Sequence, residues 1–319
     1  MKVNELREIL KKYNKEEIEK IVVELYKKIP KRTKEDNDID GFITNFSLNS
    51  KVKKEEEVIN MEELEKEVNY FLQCANNNLY CEPNKIIPKA ERSKWRFKVK
   101  TFYKKLNSFD PLTEDGIKAT ELLRDLYKIL SYGSNYLTFS NWNTFGAIQI
   151  PQGTFLNNIV RRKLLTGITE ENMAFCVKML SYEYDPQGWH EEVLEGFRIC
   201  LETKDAKELA IELIEEQVQN LKEKIYGSNK YRQTEIINYS VKCAARIYFD
   251  QEQIEEGISF FKTYYIESSE EIKEYILLEI IYKYEFYEAW IKEYEKNKKI
   301  KYRESLKEQY KEIKAKIGK

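Results

Sequence analysis

The sequence predicts an all-α protein, and three observations carry that prediction. Helix-start signals recur along the chain: Asn14 with Glu17, Asn60 with Glu63, Asp205 with Glu208 and Ser268 with Glu271. Each pair has the spacing of a capping box, in which the first side chain accepts from a backbone N–H and the glutamate reaches back. Behind these caps the apolar residues return every three or four positions, the period of an amphipathic helix. Only the stretch Phe145–Ile150 hints at a strand.

Taken in order, the first element is MKVNELREILKK, an amphipathic helix without the apolar h-region of a secretory signal. Behind Asn14, Ile18, Ile21, Val22, Leu25 and Ile29 share one face until Pro30 stops the run. Behind Asn60 come Leu64, Val68, Phe71 and Leu72, with Ile59 placed to staple against Leu64. Residues 92–105 continue as a helix whose apolar arc is Trp95, Val99, Phe102 and Leu106. Asp110-Pro111 and Asp185-Pro186 read as an N-cap followed by proline at the first helical position. The second of these opens a stripe of Trp189, Val193, Phe197 and Cys200. Helices over 234–249 and 252–266 form an antiparallel pair. A single helix over 270–296, apolar around much of its circumference, is expected at the centre of its domain. Last comes a thin stripe, Tyr302, Leu306, Tyr310, Ile313 and Ile317, too narrow to form a core alone. The expected organisation is an N-terminal helical region (1–58), a central helical bundle (59–204) with an aromatic and polar insertion at 131–165, and a C-terminal helix-repeat-like region (205–319).

Within 238–266, Ala245, Tyr248, Gly257 and Phe261 fall at small–aromatic–small–aromatic spacing. This helix pair resembles one tetratricopeptide unit, which implies a peptide-recognising helix–turn–helix. The pattern departs at Tyr264, where a small residue is usual, and at Ser269, where proline is usual. Shifting by the repeat period finds no second copy, because Glu279 falls where a small residue belongs.

The composition excludes more than it specifies. A single histidine, His190, stands among 319 residues, and Leu194 breaks any H-E-x-x-H. Glu183, Tyr184 and Asp185 occupy the positions where a helical nuclease of the arginine-x4–6-histidine type would carry its arginine. No dinucleotide fingerprint, phosphate loop or nucleophile elbow is present. The five cysteines, Cys74, Cys81, Cys176, Cys200 and Cys243, are odd in number and lack C-x-x-C spacing, so they read as buried free thiols. No run approaches the roughly 18–20 apolar residues that span a bilayer, so no membrane association is expected. Charge is balanced, 54 basic against 55 acidic residues, so an electrostatic partner must be sought in local patches. Lysine far exceeds arginine, and asparagine, isoleucine and tyrosine are frequent. That usage suits an AT-rich bacterial or phage genome and a cytoplasmic protein.

Three patches stand out. Residues 85–105 hold nine Lys or Arg and one acid, Glu91. Arg92, Arg96, Lys100 and Lys104 line one flank of the apolar arc, and Lys94, Lys98 and Lys105 the other. Such a helix can lie along phosphates or an acidic partner. With the chain balanced overall, pairing to glutamates of neighbouring helices, such as 62–67 or 215–216, is the expectation. Segment 131–165 gathers Tyr132, Tyr136, Phe139, Trp142 and Phe145 among small polar residues and ends in Arg161, Arg162 and Lys163. It suits base stacking or a peptide groove, or else a plug between bundles. Asp36, Asp38 and Asp40 with Gly41 and Ile43 follow the start of a calcium loop, but Ser47 stands where the bidentate glutamate belongs. The leading expectation is a non-catalytic interaction scaffold for a protein or peptide, without cofactor. The alternative is a nucleic-acid-binding accessory protein using 92–105 with Arg161–Lys163, and a carboxylate-metal enzyme comes third.

Overall fold

The computed structural model describes residues 3–36, 39–44, 59–182, 190–296 and 300–318. Among them are eighteen α-helices and no strand, the all-α architecture that capping and spacing predicted. The chain divides into two compact units, Met1–Ile59 and Asn60–Lys319.

The first unit holds α1 (Val3–Leu10), α2 (Lys15–Lys28), α3 (Lys31–Asp36) and α4 (Ile39–Thr44). The capping box at its second helix forms as read: Asn14 Oδ1 accepts from the Glu17 N–H at 3.0 Å, and the Glu17 carboxylate accepts from the Asn14 N–H at 2.8 Å. Pro30 ends α2 by holding Ile29 extended. The Tyr26 hydroxyl donates to Asp40, and Lys34 sits 3.7 Å over the Tyr26 ring, which ties α3 and α4 to α2.

The second unit runs α5 (Met61–Asn76), α6 (Lys89–Arg92), α7 (Trp95–Asn107), α8 (Glu114–Asn135), α9 (Thr144–Ile148), α10 (Gln152–Leu165), α11 (Glu170–Met179), α12 (His190–Arg198), α13 (Lys204–Lys222), α14 (Lys230–Phe249), α15 (Ile254–Tyr264), α16 (Glu270–Lys283), α17 (Tyr287–Lys296) and α18 (Glu304–Ile317). Helices α5, α7 and α10 pack around α8, whose Leu123, Leu126 and Leu130 are fully buried. Beyond α10 the packing becomes serial. α10 meets α12, α11 meets α13, α12 meets α14, and α13–α14–α15 are successive neighbours. This is the layering of stacked helix pairs, and α16–α17–α18 extend it.

Glycines set the closest approaches. A Cβ on Gly196 would stand 2.4 Å from the Gly153 carbonyl oxygen, so α12 and α10 touch backbone to backbone. In the pair α14–α15, a Cβ on Gly257 would stand 2.6 Å from the Phe249 ring and 3.0 Å from the Ala245 carbonyl. The small residues at 245 and 257 therefore sit at the helix contact.

Several local expectations are corrected. Thr113, not Asp110, caps α8, accepting from the Gly116 N–H at 3.0 Å, while Asp110 folds the preceding turn by accepting from the Leu112 N–H. Thr203 caps α13 in place of Asp205, and Ser269 caps α16 in place of Ser268. In each case the cap side chain accepts from the backbone N–H three residues on. The expected strand at 145–150 is the short helix α9. Asn143 caps it through the Gly146 N–H at 2.7 Å, and Gln149 ends it in the left-handed region at φ 54°. Segment 131–165 is mostly helical, because α8 runs on through Asn135 and α10 starts at Gln152. The pair predicted at 234–249 and 252–266 spans Lys230–Phe249 and Ile254–Tyr264. The helix expected over 270–296 is broken. Glu285 takes φ 58°, and the chain turns so that Tyr284 and Phe286 pack on Phe249 at 5.3 and 5.7 Å. A rod apolar on all sides cannot bury every side in this stack, and two helices can. The Asp185-Pro186 cap and Trp189 lie outside the described residues.

Candidate interaction surface

Helix α7 is built as its spacing predicts: Trp95, Val99, Phe102 and Leu106 are buried. Trp95 stacks on Phe139 at 4.2 Å, and Phe139 also stacks on Phe71 at 6.2 Å. Thus the aromatic loop after α8 plugs the space between α5 and the start of α7. Phe139 and Phe145 serve this core, whereas Tyr132, Tyr136 and Trp142 stay exposed, the two tyrosines stacked at 4.4 Å.

The basic residues separate into two kinds. Arg92 lies on α6, not on α7, and its guanidinium donates to the carbonyls of Ile87 (3.1 Å) and Asn84 (3.2 Å). It closes a loop and is not part of a cationic flank. Lys94 pairs with Glu91 at 2.7 Å. By contrast, Arg96, Lys98, Lys100, Lys104 and Lys105 meet no carboxylate within salt-bridge distance among the described residues; Lys100 donates to the Gln149 side chain at 2.6 Å. The glutamates of 62–67 and 215–216 do not take them up. Phe97 is 55% exposed amid these cations, with the Arg96 guanidinium 4.9 Å from its ring centre. A solvated stripe of one charge sign around an exposed aromatic ring results.

The Arg161–Lys163 triplet does not extend this stripe, because three consecutive residues on a helix point in three directions. Arg161 is exposed and lies 3.8 Å from Glu202. Arg162 is buried, donating to Thr120 Oγ1 at 3.1 Å and to the carbonyls of Phe109 (3.1 Å) and Gly116 (3.2 Å). It binds α10 to the start of α8. Lys163 lies 3.7 Å from Glu121 and over the Phe175 ring.

Of the calcium-loop residues, Asp40 on α4 accepts from the Tyr26 hydroxyl on α2; the Asp36 side chain and Asp38 lie outside the described residues, as does the His190 side chain. Among the described residues no group of three or more His, Cys, Asp or Glu is arranged to hold a metal ion. No helix there is long and apolar enough to cross a membrane. The cysteines are free thiols, four of them buried; burial pushes Cys200 up to about 12. Those are inert surroundings for a nucleophile.

Two arrangements escaped sequence reasoning because their members are far apart in the chain. A cleft of about 450 Å3 is lined by Leu72, Asn76, Asp125, Lys128, Tyr132, Tyr182 and Arg232. Its polar groups are engaged with one another: Lys128 lies over the Tyr182 ring, and Arg124 beside it bonds Asp125 at 3.0 Å. Further along, one buried and two half-buried cations hold the helix stack. Arg246 pairs with Glu191 at 2.7 Å, Arg198 with Asp250, and Lys262 with Glu274 (3.0 Å) and Glu293. Both sets are built to join helices.

Compared with known proteins, the chain matches no family model, no curated protein and no solved structure.

Proposed function

We propose that this chain is a non-catalytic helical scaffold that binds a protein partner, and that an acidic segment of the partner meets α7. The observation that carries this reading is Phe97, an exposed aromatic ring on the same helix as Arg96, Lys98, Lys100 and Lys104, none of which pairs with a carboxylate among the described residues. An aromatic anchor inside a charged rim is the composition of a protein-binding hot spot. Holding like charges together uncompensated opposes folding slightly, and an acidic ligand relieves that repulsion.

Nucleic acid is the second reading, favoured by the same uncompensated cations and by the exposed Tyr132, Tyr136 and Trp142 as stacking platforms. Fluorescence anisotropy separates the two. The probes are a labelled glutamate-rich peptide containing leucine and phenylalanine, and a labelled single-stranded RNA. The protein-partner reading expects peptide binding that falls by about tenfold or more in Phe97→Ala, the effect of losing a hot spot. It also expects loss of binding when Arg96, Lys98, Lys100 and Lys104 are all replaced by glutamine. Sub-micromolar RNA binding, with a salt slope reduced by about 0.7–0.9 per lost contact in the glutamine variant, would instead select the second reading. Binding of either probe that survives the glutamine variant unchanged removes α7 from both.

A further inference from the structure

A cavity of about 290 Å3 opens where α9, α10 and α12 meet, next to α7. Phe145 and Gln152 line its base; they are 2% and 1% exposed, and Phe145 packs edge-on against Phe155 at 6.2 Å. Its base is therefore part of the core and is formed before anything binds. Gln149, Ile150 and Pro151 line it from the turn between α9 and α10, and Glu192 from α12.

Helix α7 reaches this cavity through Lys100, whose half-buried ammonium donates to Gln149 Oε1 at 2.6 Å. One turn on, Tyr103 packs on Phe155 at 4.6 Å, and Asn107 accepts from Asn158 at 2.6 Å. The side of α7 that carries Arg96, Lys100, Tyr103 and Asn107 thus faces α9 and α10. Phe97 stands about 60° round the helix from Lys100 and about 4.5 Å along it, within reach of one short bound segment.

We infer that this cavity seats one apolar side chain of leucine size from the acidic segment that meets α7. A carboxylate next to that side chain then replaces Gln149 as the acceptor for Lys100. The inference rests on α7 as the docking helix and adds what the partner must carry.

Size and lining support it first. The volume lies just under the roughly 300–1,000 Å3 of small-molecule sites, and few polar groups converge on it to orient a cofactor. A single apolar anchor fills such a space and needs no polar partner. Lys100 supports it second. Its acceptor is a neutral amide, and a carboxylate in that place makes a bond charged on both sides, which is stronger. Gln149 supports it third: one residue both lines the cavity and holds Lys100, and does so at φ 54°, where residues other than glycine are uncommon.

Charge also gives the segment a direction. Lys100 and Arg96 favour acidic residues on the α7 side of the seated side chain, and Glu192 disfavours them on the α12 side. The matching segment is acidic on one side of its apolar residue and neutral or basic on the other.

Fluorescence anisotropy on the full chain tests this. The probes are a labelled glutamate-rich peptide with one central leucine, and the same peptide with serine in that place. The leucine peptide is expected to bind about tenfold or more tightly, the effect of one anchor. Ile150→Asn places an amide in the cavity and should bring that ratio to about one, leaving the serine peptide's affinity unchanged. Glu192→Lys, at an exposed position, should tighten both peptides several-fold, and it serves as the test if Ile150→Asn fails to fold. Equal affinity of the two peptides for the parent chain overturns the proposal. So does Glu192→Lys without effect. A leucine preference that survives Ile150→Asn but vanishes in Phe97→Ala also overturns it, since the leucine then sits at Phe97 and α7 remains the docking helix. Sub-micromolar RNA binding with neither peptide bound overturns both readings. A leucine preference that depends on Ile150 yet survives glutamine at Arg96, Lys98, Lys100 and Lys104 removes α7, and with it the carboxylate at Lys100.

Discussion

Replacing Arg162 by methionine should destabilise the second unit without weakening whatever α7 binds. The residue is 5% exposed and its side chain makes three hydrogen bonds, two of them to main-chain carbonyls, Phe109 in the turn before α8 and Gly116 in its first turn. Hydrogen bonds from a charged donor contribute about 1.5–3 kcal/mol each, before the cost of taking the guanidinium out of water is set against them. Methionine fills most of the volume and needs no desolvation, which recovers part of the loss. The Gly116 carbonyl keeps the Thr120 hydroxyl as a donor at 2.9 Å, so it is not stranded. The Phe109 carbonyl loses the guanidinium. The net expectation is about 2–4 kcal/mol, below the sum of three bonds, for these reasons. Urea unfolding followed by circular dichroism measures it, with an unchanged slope against denaturant required for the comparison. Arg161→Met is the control: its exposed contact with Glu202 at 3.8 Å should change stability by less than about 0.5 kcal/mol. Equal effects at the two positions, or an Arg162 variant as stable as the parent, would refute the assignment of Arg162 as a strut between α10 and α8.

Glu191 makes stability fall in acid. Burial pushes its carboxyl up, but the hydrogen bonds and charges of Arg246 and Lys283 more than reverse this and hold it at about 2. Its contribution is therefore complete above pH ~4.5 and is lost as pH falls toward 2. Half exposure reduces the effect to about 1–2 kcal/mol, and Glu191→Gln should flatten this part of the pH profile. Lys262→Met leaves the fully buried Glu293 side chain with Lys296 alone and should cost about 3 kcal/mol in urea unfolding. Leu306→Asp puts a carboxylate at a fully buried position of α18. It should abolish amide-exchange protection in 304–317 while α8 stays protected; loss of protection in α8 as well would place α18 in the main core.

The chain itself determined the all-α class and which side of α5, α7 and α18 faces inward. Asn14, Asn60 and the seam Trp95–Val99–Phe102–Leu106 were legible because capping and amphipathic spacing act over one or two turns, within reach of a local reading. The terminal stripe was legible for most of its length: Tyr302, Leu306 and Ile313 are buried and Tyr294 stacks on Tyr302 at 4.4 Å and on Tyr310 at 4.6 Å, whereas Ile317 at its end is exposed. Caps were misread by one to three residues where Thr113, Thr203 or Ser269 competed with a neighbour. Local chemistry is nearly degenerate there, since Thr, Ser and Asp are all good caps and more than one stands near each helix start.

Only the tertiary structure decided what the charged residues do. Arg92 and Arg162 resemble Arg96 in sequence, yet the first two are bound to carbonyls and the third lies in solvent. Whether a glutamate stands within 4 Å of a lysine depends on chain segments far away in sequence, and the long, flexible side chains leave no periodic trace of it. The break at Glu285 has the same origin: its left-handed turn is stabilised by Phe249, some 36 residues upstream of it, through contacts with Tyr284 and Phe286. Helix formation is a short-range property of the chain, whereas charge pairing and helix breaks are settled by long-range packing.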